Sequence, residues 1–148
     1  MKAMYRFKLQ ALLNHRRHQE EVSQKELAEA QRGLSDAQEK LKGIKRQKRE
    51  NIQQLHARQK ERHNAANILM FTNYIEQLTR DIESQRQRVQ QAAKTVTLKR
   101  DRLIAVMKKR KTLERLKEKG WLAYQQKMMQ VERKFNDEVA ATRHVRKM

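Results

Sequence analysis

Two series of apolar residues, each stepping by seven, run through this chain on either side of a short polar break. Before the break, Leu27, Leu34, Leu41 and Leu55 fall on one series, and Ala30, Ala37 and Ile44 interleave with it. After it, Ile75, Ile82, Val89, Val96 and Leu103 are interleaved by Leu78, Ala92, Val106 and Leu113. Alternating steps of three and four line such residues up as one narrow stripe on a helix, and that stripe is buried by a second helix. The break is His63–Asn67, with the apolar Ile68–Phe71 after it. It lets the chain fold back so that the two stripes cover each other. The expected fold is all-α: a long antiparallel two-helix coiled coil, a helical hairpin with its tip near residues 63–72. A single extended coiled-coil domain would then fill residues 1–148, with helix one at about 5–62, the turn at about 63–72 and helix two at about 73–146.

Composition supports long helices and little else. There is no proline, and only Gly33, Gly43 and Gly120 interrupt the helix formers. Charged residues make up 36% and aromatics 5%, too little apolar bulk for a wide core. Disordered polar tracts share this composition, but they have no reason to keep a period of 3.5 residues. Cysteine is absent, which excludes disulfides, thiolate metal sites and thiol nucleophiles. The start, M-K-A-M-Y-R-F-K-L-Q, lacks the apolar core of a secretory signal. No apolar run approaches the roughly 20 residues that span a bilayer. A soluble protein kept inside the cell is expected. Its net charge of +19 calls for an acidic partner, whether protein, nucleic acid or anionic membrane surface.

The stripe is not uniform. Lys48, Asn51, Arg58 and Arg62 stand where the pattern asks for apolar residues, so the hairpin should loosen or fix its register toward the tip. Gly33 and Gly43 read as tolerated positions on the flank of the seam. Asn73 followed by Glu76 resembles a capping box, which would start the main part of helix two at Tyr74. Near Gly120 the spacing shifts, and Trp121, Tyr124, Met128, Val131 and Phe135 continue it. At about 1.5 Å per residue, helix two outruns helix one, and residues beyond about 127 have no intramolecular partner. An apolar stripe on an unpaired helix asks for another surface.

Catalytic chemistry is not encoded. A phosphate-binding loop cannot be written with these glycines. His15 and His18 have no third metal ligand in view, and His56, His63 and His144 stand alone. Asp137 and Glu138 are adjacent, so on a helix they point apart and form no acid–base pair. The expectation is a protein that is not an enzyme and uses no cofactor and no metal. Lys42–Arg49 and Lys108–Lys111 are basic clusters, and a basic coiled coil that binds nucleic acid is the rival reading. Acidic residues are scattered among the basic ones, and neither a DNA-reading motif nor an aromatic platform is evident, so no nucleic acid is expected.

Several stretches resemble the flagellar export protein FliJ family. They are F-K-L-Q-A-L-L-N-H-R (Phe7–Arg16), N-Y-I-E-Q-L-T-R-D-I-E-S-Q-R (Asn73–Arg86), K-T-L-E-R-L-K-E-K (Lys111–Lys119), then Tyr124 and N-D-E-V-A (Asn136–Ala140). Asn136 departs from the apolar residue common before the Asp-Glu pair. The resemblance implies a stalk, similar to the rotary-ATPase gamma subunit, in the hexameric ATPase ring of the flagellar type III export apparatus. It also implies contact with the cytoplasmic domain of the export gate and with the export chaperones of late substrates. The protein would serve flagellum biogenesis, motility and chemotaxis from the cytoplasm, meeting the inner membrane only through the apparatus at the flagellar base. By this resemblance Phe7, Leu9, Leu12, Arg16, Leu113, Leu116, Tyr124, Asp137 and Glu138 would contact the ATPase ring. Tyr74, Leu78 and Gln85 would face the gate or the chaperones, although Leu78 is also a seam residue for which core packing competes. The equivalent stalk of a virulence secretion system fits the same sequence.

Overall fold

The computed structural model describes residues 5–60 and 65–147. They form two helices, α1 over Gln10–Lys60 and α2 over Ala65–Lys147, with no strand among the described residues. The fold is an all-α helical hairpin coiled coil. Residues 5–9 lead into α1 without helical structure, so helix one begins at Gln10 and not near residue 5. The Gln10 amide donates to the Phe7 carbonyl at 3.1 Å, and the Leu13 amide to Leu9 at 2.9 Å, which closes the first turn without a capping side chain. At their C-termini both helices carry cations, Arg58 and Lys60 on α1 and Arg146 and Lys147 on α2, the sign that the helix dipole favours there.

The chain packs as two units, one formed by Val22–Leu103 and the other by the segments before and after it. In the central unit α1 and α2 run antiparallel: Glu26 pairs with Lys99, Ala37 with Gln85, and Arg58 with Phe71. Every apolar seam residue named from the sequence in this unit is buried or half-buried, with Leu78, Ile82 and Val96 the most covered, whereas Arg58 at its seam position is exposed. One polar side chain is buried among them. Gln85 is 4% exposed, and its amide Nε2 donates to the Ala37 carbonyl at 3.0 Å. A buried amide without that partner would cost roughly 1–3 kcal/mol. Lys48 and Asn51 lie half-buried at their seam positions, and Asn51 donates to the Gln47 carbonyl at 2.7 Å. Gly33 and Gly43 have open space where a Cβ would stand, in keeping with flank positions.

The turn differs from expectation. Residues 65–72 are helical, and α2 starts eight residues before Asn73, which is an exposed position inside the helix and not its cap. The cause lies in the seam. Ile68, Phe71, Ile75 and Leu78 continue the three-four spacing, and Ile68 and Phe71 are half-buried by it. The Thr72 hydroxyl donates back to the Ile68 carbonyl at 2.9 Å, and the Arg58 guanidinium lies 4.7 Å from the Phe71 ring centroid. Arg62, His63 and Asn64 lie outside the described residues.

The terminal unit holds the most covered side chain, Leu13 at 0% exposed, with Leu113 also buried. It too is antiparallel, with Arg17 against Glu114 and Glu20 against Arg110. Beyond Tyr124 every described residue is exposed except the half-buried Val139.

Candidate partner-binding surfaces

The terminal unit gathers apolar side chains that water should not keep. On its α1 side Leu9 and Leu12 are exposed, while Leu13 turns inward. On α2, Leu116, Trp121, Leu122, Met128, Met129, Val131 and Phe135 are exposed, Phe135 to 65%. Trp121, Met128, Val131 and Phe135 share one face by their helical spacing, Leu122 and Met129 point away from it, and Lys127, Glu132, Arg133 and Lys134 are interspersed. Such a face is apolar enough to dock and charged enough to orient the partner.

An aromatic cluster shapes the start of that face. Tyr5 lies 6.0 Å from Trp121 and 5.7 Å from Tyr124 between ring centroids, and Trp121 stacks on Tyr124 at 6.1 Å. The Tyr5 hydroxyl occupies the space that a Cβ on Gly120 would take. Glycine is what admits the ring there.

Below it lies a charge network. Arg110 grips Glu20 with its Nε and, at 3.4 Å, with Nη2, while Nη1 donates to Glu114 at 2.8 Å. Glu114 also lies 3.6 Å from Arg17. The hydrogen bond to Glu20, then that to Glu114, holds the Arg110 guanidinium above its ordinary pKa against the opposing effect of burial. The sequence reading missed this network, although the seam points to it. One heptad before Leu27 stands Glu20, and one heptad after Leu103 stands Arg110, opposite charges at matching positions.

The residues singled out from the sequence fall into two groups. Leu9, Leu12, Leu116, Asp137 and Glu138 are exposed, and Phe7, Arg16 and Tyr124 are half-buried. Arg16 donates to Gln19 at 2.8 Å, and the Glu138 carbonyl accepts from the Thr142 hydroxyl at 2.8 Å. Leu113 is buried in the seam, so it supports this surface from beneath. On the central unit Tyr74 is exposed, but Leu78 and Gln85 are buried, and core packing is what the structure shows for both. Trp121 belongs to the exposed face and was not among the expected contact residues, and Leu122 and Met129 are exposed on other sides of α2.

The described residues contain no cluster of three or more His, Asp or Glu able to hold a metal, and no helix long and apolar enough to cross a membrane. Comparison with known proteins decides the family. The sequence profile described as flagellar FliJ protein matches residues 5–148. This chain belongs to the FliJ family. It is a component of the type III protein export apparatus, in a family of non-enzymatic export components. Among solved structures it is similar to CT670 from Chlamydia trachomatis, described as a YscO homolog. That likeness covers 95% of this chain and 96% of the other at 21% identity, with a TM-score of 0.62, and shows a shared fold. No curated relative matches by sequence.

Proposed function

We propose that this FliJ-family protein is the stalk of the hexameric flagellar export ATPase ring, and that it escorts late-substrate chaperones between that ring and the export gate. The observation that carries the reading is the exposed apolar face after Gly120, where Trp121, Met128, Val131 and Phe135 follow one another at helical spacing on a helix carrying many cations. The ring contact comprises this face with Phe7, Leu9, Leu12, Arg16, Leu116, Tyr124, Asp137 and Glu138, and Leu113 holds it in place from the seam. Apolar members enter ring pockets, and charged members set register and orientation. The gate or the chaperones meet the central unit around Tyr74, with Leu78 and Gln85 fixing that face from within. The protein then works at the cytoplasmic face of the inner membrane, at the flagellar base, without itself entering the bilayer. A family match over residues 5–148 favours a flagellar apparatus over a virulence one, since the likeness to the YscO homolog rests on fold.

The direct test is turnover of the cognate export ATPase with and without this protein at low salt. Stimulation that is lost on replacing Val131 and Phe135 by serine supports the stalk role. Neither binding nor stimulation would overturn it.

A further inference from the structure

Opposite charges bridge the flanks of the seam wherever the structure shows a cross-helix ion pair. Glu26 meets Lys99 at 3.2 Å in the central unit, and Arg17 meets Glu114 at 3.6 Å in the terminal one. One stretch of the central unit is arranged otherwise. A groove of about 930 Å³ between α1 and α2 is lined on the α1 side by Lys42, Lys45, Arg46, Lys48 and Arg49. The α2 side supplies Arg80 and Arg86, with Glu83 as the one carboxylate of the lining. Glu83 lies 3.9 Å from Arg86. The five α1 cations take part in none of the ion pairs among the described residues.

The spacing explains the concentration of charge. Lys42, Lys45, Arg46 and Arg49 stand at i, i+3, i+4 and i+7, one stripe of α1, and Arg80 and Arg86 border the same groove from α2. Like charges so placed repel along the helix and across the seam. Nothing in the packing of a two-helix coiled coil requires them there, because flanking positions are ordinarily filled by complementary pairs.

We propose that this groove binds a soluble phosphate-chain anion, of the class of tripolyphosphate or the phosphate tail of a nucleoside triphosphate. Three guanidinium groups, Arg46, Arg49 and Arg80, offer charge-assisted hydrogen bonds to phosphate oxygens, Arg80 while its Nη2 donates to Gln77 at 2.8 Å, and the lysines add point charges that need no fixed geometry. The volume is that of a small-ligand site, within the usual range of about 300–1,000 Å³. The apolar side chains of the lining are Ile52 and Ile82, and the aliphatic stems of the lysines and arginines extend that surface beneath their charged ends. No aromatic residue lines the groove, so a nucleic-acid strand finds no stacking platform. A phosphate chain places its charges contiguously and on both sides, which suits cations on two facing helices. An extended acidic peptide sends successive carboxylates to opposite sides, so those facing one wall stand about 6.6 Å apart, a sparser row of charge than a phosphate chain presents. This inference stands apart from the stalk reading and can fail without it.

Isothermal titration of the full-length protein with sodium tripolyphosphate, at constant ionic strength, tests the proposal. The triple variant Lys45→Gln, Arg49→Gln, Arg80→Gln is expected to bind at least about tenfold more weakly, since it removes three charge-assisted partners of the anion. A control of equal charge change on exposed residues of α2, Lys134→Gln, Arg143→Gln, Lys147→Gln, should change affinity less than about twofold. Relief of repulsion should also raise the melting temperature of the groove variant without ligand, and tripolyphosphate should no longer raise it further. Equal weakening in both variants, or no binding by the parent, overturns the proposal. So does capture of polyglutamate, duplex DNA or phosphatidylglycerol vesicles by the same side chains when tripolyphosphate fails to displace them.

Discussion

The Gln85 side-chain amide donates to the main-chain carbonyl of Ala37 from a position that the seam otherwise reserves for apolar residues. It couples one heptad position on α2 to one backbone group on α1. A slip of register would leave the amide buried and unpaired, at a cost of roughly 1–3 kcal/mol. Gln85→Leu should therefore keep or raise the melting temperature while loosening register. With no native cysteine present, the pair Ala30→Cys and Ala92→Cys, one heptad away on each helix, reports this by oxidation yield. High yield in the parent that falls in the Gln85→Leu background is expected. An unchanged yield would show that apolar packing alone sets the register.

Arg110→Met should destabilise the protein by about 1–2 kcal/mol, because Glu20 and Glu114 lose a charge-assisted partner together. The Arg110 side chain is 20% exposed and that of Glu20 12%, so screening removes part of this at high salt but not all of it. The pH dependence has a definite sign. A cation whose folded pKa is raised contributes fully below its unfolded value and loses that contribution as pH rises through the folded one. For Arg110 both values lie beyond the ordinary alkaline range, the folded one raised further by Glu20 and Glu114, so titration to pH 10.5 should leave this contribution intact. Chemical denaturation at pH 7 and at pH 10.5, compared with Arg110→Met, measures it.

Two glycine substitutions should diverge. Gly33→Ala meets open space and should stabilise by about 1 kcal/mol, the ordinary propensity gain. Gly120→Ala places its methyl on the Tyr5 hydroxyl and should gain less, displacing the ring and changing the emission of Trp121, the only tryptophan. Adding Tyr5→Ala should restore the propensity gain at residue 120. Fluorescence and thermal melts of the four proteins close this cycle.

Leu12 and Leu13 are neighbours with opposite duties. Leu13→Ala, at a fully covered position, should cost about 2–5 kcal/mol. Leu12→Ala, at an exposed one, should leave the melt within about 0.5 kcal/mol and instead weaken binding to the export ATPase. A pull-down beside a melting curve separates the two effects.

The heptads disclosed the seam because each of their members from Leu27 to Leu113 is covered in the structure. The start of α2 was misplaced by a genuine competing signal. Asn73 and Glu76 have the chemistry of a cap, but the half-buried Ile68 and Phe71 keep the same stripe going, and burial outweighs a local hydrogen bond. Tyr5 against Gly120 could not be read at all. It depends on two residues far apart in the chain meeting at one missing Cβ, which leaves no period behind. Leu78, Gln85 and Leu113 were assigned to partner contact by resemblance, while their spacing already placed them on or beside the seam. The basic groove was visible only as a cluster on one helix. Its second wall, Arg80 and Arg86, lies in a different part of the sequence.

The run from Gln125 to Lys147, exposed but for Val139, continues α2 without interruption. A free peptide of that length would first have to nucleate, an event with a statistical weight of about 10⁻³. Here the preceding turns act as the seed, so each further turn needs only propagation. The end of α2 can therefore fray and regrow quickly, and a partner meets a ready-wound helix whose last turns it has merely to hold.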